Sequence, residues 1–120
     1  VKIHELTDNV SRTFYHVTLY DNVKSILTQG LIPKSGTRSE VMGDHGIFMF
    51  PSIDDMNNAL MNWLGEEYEE KYGEGVDLAA LSITLPNNFP AAPTFTGDSS
   101  WEWSTQEPIP AKYIKFLSKE

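Results

Sequence analysis

The sequence predicts an α+β domain in which two short helices pack on a largely antiparallel sheet. Three observations carry this expectation. Runs such as FYHVTL, LAALSITL and YIKFL are rich in β-branched and aromatic residues and alternate in polarity. Two other stretches repeat their apolar residues at helical spacing. The order of these elements shows no repeat and no strict βαβ alternation, which separates α+β from a parallel α/β sheet. A chain of 120 residues has room for one domain, 1–120, around one core.

Phe14 to Leu19 forms the first strand, and Asp21 is placed to cap the helix that follows. Val23, Ile26 and Leu27 give that helix its apolar face. Gly30 supplies the left-handed residue that ends it before Leu31 and Pro33. Lys34 to His45 is polar and aperiodic, so it reads as a loop of about a dozen residues, a length usually tied to function or mobility.

Gly46 to Phe50 (GIFMF) is a compact apolar strand closed by Pro51. Ser52 and Asp55 resemble a capping box, and Met56, Ala59, Leu60, Trp63 and Leu64 continue at helical spacing. After Gly65 the acidic EEYEEKYGEG either extends this helix or leaves it as a loop. Leu78 to Leu85 reads as a half-buried strand, with Leu81, Ile83 and Leu85 on one face and Ser82 and Thr84 on the other. Asn87 to Ser100 is a proline-containing connector, Trp101 to Thr105 a short β-prone run, and Tyr113 to Leu117 the final strand.

Composition narrows the function. The chain is 40% hydrophobic and 12% aromatic without low-complexity tracts, which argues against disorder. No apolar run approaches the roughly 20 residues that cross a bilayer, and VKIHELTDN has neither a basic region nor an apolar signal core. The expectation is therefore a cytoplasmic protein with no membrane partner. There is no cysteine, and His4, His16 and His45 lack the H-x-x-x-H spacing that puts two ligands on one helical face, so no metal site is expected. The net charge of −8 comes largely from Asp54, Asp55, Glu66, Glu67, Glu69, Glu70, Glu74 and Asp77. Such a surface either solvates the fold or docks a basic partner, and it opposes nucleic-acid binding through bulk charge.

The sequence contains no G-x-x-x-x-G-K-[ST], no G-x-G-x-x-G after a strand and no G-x-S-x-G. Three other short motifs occur in a telling order. FYHVTLYDNVKSILTQGLIP (Phe14 to Pro33) joins a strand bearing H-x-T to a helix ending I-L-x-x-G-L. GIFMF is followed by a helix that contains Ala59, and WEWSTQEPIPAKYI (Trp101 to Ile114) sets Glu102 between two tryptophans ahead of a P-I-P-x-x-Y-I turn. Glutamate is depleted in strands, which singles out Glu102.

In this order the motifs resemble the ADP-ribosyltransferase superfamily, in particular its DarT-like and RNA 2′-phosphotransferase-like branch, over most of the chain. The resemblance implies an ADP-ribosyltransferase-like fold with a split, mainly antiparallel sheet. It also implies that NAD is the co-substrate. It matches His16 to the histidine that binds the nicotinamide ribose, Thr18 to the hydroxyl beside it, and Phe48 to the aromatic that stacks on nicotinamide. Glu102 matches the acid that holds the ribose 2′-hydroxyl, with Glu107 as its substitute. Arg38, or Lys34, is placed to pair with the pyrophosphate from the long loop.

The chemistry calls for such groups. Breaking the nicotinamide bond of NAD passes through an oxocarbenium-like ribose that a nearby carboxylate stabilises, while an aromatic face holds the leaving ring. The sequence also departs from the family. Phe48 stands where tyrosine is commoner. Ser100, two residues before Glu102, replaces the Glu or Gln that accompanies arginine- or asparagine-directed transfer. Tyr15 stands where the phosphotransferases often have arginine. Phosphotransfer from RNA is therefore disfavoured and the acceptor stays open.

Two functions follow. One is a mono-ADP-ribosyltransferase that modifies a macromolecule, protein being favoured over nucleic acid. The other is a non-catalytic module on the same scaffold that docks a basic partner through its acidic surface. Small size and acidity suit a toxin, an immunity factor or a phage-type effector.

Overall fold

A computed structural model describes residues 11–33, 46–94 and 101–120. In chain order these form β1 (Ser11–Leu19), a 3-10 turn (Tyr20–Asn22), α1 (Val23–Gln29), β2 (Ile47–Met49) and α2 (Ile53–Ala59). A π-helical turn (Leu60–Leu64), α3 (Gly65–Tyr72), β3 (Leu78–Pro86), β4 (Ala92–Pro93), β5 (Trp103–Thr105), a second 3-10 turn (Ala111–Tyr113) and β6 (Ile114–Lys119) complete the described chain. The strands build two antiparallel sheets, of order β1-β3-β6 and β2-β5-β4. The protein is thus an α+β domain with two helical segments, as its sequence pattern requires.

β3 is the central strand of the first sheet, and its sequence shows why. Leu81, Ile83 and Leu85 are wholly buried on one pleat, where they meet Phe14, Ile26, Ile47, Met49, Ile109 and Ile114. Leu78 and Ala80, on the opposite pleat, join Val17, Phe50, Met56, Ala59, Leu64 and Tyr68 in a second core. The strand is therefore half-buried only in its later part, at Ser82 and Thr84. Its first part is covered on both faces because the long helical segment lies over that end.

One helix boundary differs from expectation. Asp21 does not cap α1: it lies inside the 3-10 turn, and the N-cap residue, Asn22, makes no side-chain capping bond. At the other end Gly30 has φ 84° and its N–H donates to the Ile26 carbonyl at 2.8 Å, so glycine closes the helix by the left-handed route. In the second segment Ser52 does cap. Its Oγ accepts from the Asp55 N–H at 3.0 Å and donates to Asp55 Oδ2 at 2.9 Å.

This helical segment runs through Gly65 to Tyr72, so the acidic stretch extends it rather than forming a loop. The π turn brings Gly65 close to the carbonyl of Leu60: a Cβ on Gly65 would lie 2.7 Å from that oxygen. Only glycine fits there without a shift. Beyond the turn, Leu64, Tyr68 and Tyr72 follow at intervals of four and so share one face of the helix. A strand that the sequence concealed is β4, inside the proline-containing connector. Its Pro93 is tolerated because β4 lies at a sheet edge.

The two sheets meet at one residue pair. Tyr15 N–H donates to the Phe50 carbonyl at 2.8 Å, and Phe50 N–H to the Tyr15 carbonyl at 2.7 Å. A second bridge, Leu31 with Ile109, ties the end of α1 to the turn before β6. Among the described residues no helix is long and apolar enough to cross a membrane.

Candidate functional site

Continued by one more step, the antiparallel ladder between β1 and the segment containing β2 would pair Val17 with Phe48. The strands separate instead. The Phe48 carbonyl, which points toward β1, accepts from Nδ1 of His16 at 2.7 Å. One imidazole therefore takes the place of a ladder bond where the sheets part, and beside it opens a cavity of about 290 Å³.

A carbonyl only accepts, so Nδ1 carries the proton, and in the neutral ring Nε2 is left as an acceptor. The His16 side chain makes no other hydrogen bond among the described residues, and the residue lines the cavity. Burial pushes its pKa below the ordinary value of about 6.5, outweighing the opposite pull of the Phe48 carbonyl. The imidazole is accordingly neutral at pH 7, available to receive a hydrogen bond from a hydroxyl group.

Thr18 is buried two residues farther along β1 and also lines the cavity. Phe48 is 7% exposed yet belongs to neither apolar core, whereas its neighbours Ile47 and Met49 pack into the first. Alternation along β2 turns the phenyl ring away from those two and toward the cavity. Gly46 leaves room for that ring: a Cβ there would stand 3.3 Å from Cε2 and Cζ of Phe48.

Glu102 immediately precedes β5 and is 1% exposed at the cavity wall. Its backbone carbonyl accepts from Thr94 N–H at 2.9 Å, which fixes the approach to β5. Glu107 is exposed and does not line the cavity, and its N–H donates to Thr105 Oγ1 at 3.1 Å. Of the two glutamates, only Glu102 shares the cavity with His16, Thr18 and Phe48. Arg38 and Lys34, expected at the pyrophosphate, lie outside the described residues.

Trp101 and Trp103 diverge into the two cores. Trp101 packs on Trp63 with centroids 5.6 Å apart, and Trp103 on Phe14 at 5.4 Å, with the Arg12 guanidinium 5.1 Å from the Trp103 ring. Both rings thus pack against the apolar cores of the fold.

The sequence pattern did not single out the helical wall of the cavity, formed by Leu64, Tyr68 and Tyr72. Tyr68 is buried and its hydroxyl donates to the Val17 carbonyl at 3.0 Å, while Tyr72 stacks on it at 6.0 Å between centroids. The signal was the four-residue spacing of the two tyrosines, readable only once the acidic stretch is known to be helical. Among the described lining residues there is no lysine, arginine or aspartate, and Glu102 is the one acidic side chain. No group of three or more His, Asp or Glu suited to a metal occurs among the described residues.

The wall thus offers a neutral imidazole acceptor, a hydroxyl, aromatic faces and a buried carboxylate. Together these can hold a hydroxylated ring and stabilise positive charge developing on it. No protein-family model and no curated protein matches the chain.

Proposed function

We propose that this protein is a mono-ADP-ribosyltransferase of the ADP-ribosyltransferase-like fold, consuming NAD to modify a macromolecular acceptor, with protein favoured over nucleic acid. The observation that carries the proposal is that His16, Thr18, Phe48 and Glu102, drawn from three separate stretches of sequence, line one cavity. The volume lies at the lower edge of the roughly 300–1,000 Å³ usual for small-molecule sites.

In this scheme Phe48 supports the nicotinamide ring and His16 Nε2 accepts from a ribose hydroxyl, with Thr18 beside it. Glu102 accepts from the 2′-hydroxyl and faces the ribose carbon whose charge grows. The C1′–N1 bond breaks, and its electron pair leaves with nicotinamide as a neutral molecule. The acceptor's nucleophile then supplies the pair for the new bond to C1′ and loses its proton to solvent or a nearby base. A fixed carboxylate at such a centre contributes several kcal/mol, or about 10²-fold or more in rate.

The test is incubation of purified protein with NAD and with candidate proteins and nucleic acids, following nicotinamide and the mass of each acceptor. Release of nicotinamide with a gain of one ADP-ribose on protein is the expected result. A folded sample that neither binds nor consumes NAD would overturn the proposal in favour of the acidic docking module.

A further inference from the structure

Glu102 is flanked by two tryptophans whose rings are anchored in different parts of the fold. Trp101 packs on Trp63 of the π turn, and Trp103, the first residue of β5, packs on Phe14 of β1. The second contact carries a cation as well: the Arg12 guanidinium lies 5.1 Å from the Trp103 ring and 5.5 Å from the Phe14 ring. Arg12, Phe14 and His16 alternate along β1 and so share one face of it. The strand that brings His16 to the cavity therefore also holds, through Arg12 and Phe14, the residue next to Glu102.

The separation of His16 and Glu102 across the cavity depends on how the two sheets sit on each other. His16 belongs to the first sheet, and Glu102 leads into β5 of the second. Backbone hydrogen bonds join the sheets at Tyr15 and Phe50, one residue from His16. The cluster of Arg12, Phe14 and Trp103 joins them again, one residue from Glu102. Nη2 of Arg12 also donates a long hydrogen bond, 3.5 Å, to the Phe89 carbonyl in the connector that leads to β4, and β4 pairs with Trp103 through Pro93.

Packing alone does not account for an arginine at this place. Its Nε is buried without a hydrogen-bond partner, and no carboxylate pairs with it among the described residues. An apolar side chain of similar length would fill the space without either penalty. What the guanidinium adds is direction, because a planar cation settles over the faces of aromatic rings and its N–H groups fix its own plane.

We infer that Arg12 is a positioning residue for Glu102: by holding Trp103 against Phe14 it fixes the entry to β5 relative to His16. This rests on the NAD-consuming function proposed above and adds to it a residue that does not itself line the cavity.

The experiment is a double-mutant cycle on the full chain, comparing wild type, Arg12→Met, Glu102→Gln and the pair by nicotinamide release, NAD affinity and thermal melts. Arg12→Met keeps the length of the side chain and removes the cation. It is expected to lower kcat about 10-fold, with NAD affinity and melting temperature close to those of the wild type. In the Glu102→Gln background the same change is expected to leave kcat unaltered, because no charge is left to position. Arg12→Lys retains a cation over the rings and should recover part of the loss. Should Arg12→Met melt below the assay temperature, Arg12→Lys takes its place in the cycle, and a loss confined to the background with Glu102 is again the expected result. Equal losses in both backgrounds, or a wild-type kcat in Arg12→Met, would overturn the positioning role while leaving the proposed function standing. A wild type that releases no nicotinamide would overturn that function and this inference with it.

Discussion

His16 answers two demands, since its Nδ1–H satisfies the Phe48 carbonyl where the sheets part and the residue also lines the cavity. Its lowered pKa fixes the sign of one prediction. Because the folded value lies below the unfolded value of about 6.5, the unfolded chain takes up the proton first. The contribution of His16 to stability is complete above that value and is lost as pH falls from it toward the folded pKa. Thermal melts between pH 7 and pH 5 should therefore show a steeper loss in the wild type than in His16→Asn, and parallel losses would contradict this assignment. Gly46 gives a second prediction. Gly46→Ala puts a methyl group 3.3 Å from the Phe48 ring, so the ring must tilt. NAD binding should weaken several-fold with the melting temperature nearly unchanged, and unaltered affinity would count against stacking by Phe48.

The elements show which parts of the fold were legible in local sequence. Ser52 and Gly30 act where their residue types predict, because a cap and a left-handed stop each depend on a few adjacent residues. Asp21 misled because the chain enters α1 through a 3-10 turn that shifts the cap to Asn22. The extension through Gly65 was not decidable, since glycine and a run of glutamates weaken helical pattern while tertiary packing of Leu64 and Tyr68 restores it. Gly65→Ala separates these effects by sign. Propensity alone would stabilise the helix by about 1 kcal/mol. A Cβ at 2.7 Å from the Leu60 carbonyl should instead destabilise the protein by about 1–3 kcal/mol in denaturant unfolding. A more stable Gly65→Ala protein would contradict the π turn.

Over the whole molecule, the α+β class was legible because periodicity and element order report it directly. The cavity was not, because it depends on one pairing, Tyr15 with Phe50, between strands far apart in sequence, and on the parting of those strands beyond it. The candidate residues were singled out by motif order, and their meeting at one cavity needed the fold. Negative charge is concentrated away from the cavity: Glu66, Glu69 and Glu70 are exposed on α3 and do not line it. Reversing all three should leave nicotinamide release unchanged while weakening, in a salt-dependent way, any complex with a basic protein acceptor. Lost release without acceptor present would contradict that separation. The central claim is that Glu102 stabilises the breaking bond of NAD, and it is tested most directly by Glu102→Gln, which keeps the shape of the buried side chain and removes its charge. The account predicts a folded protein that still binds NAD and releases nicotinamide about 10²-fold or more slowly than the wild type. Release at the wild-type rate would contradict it.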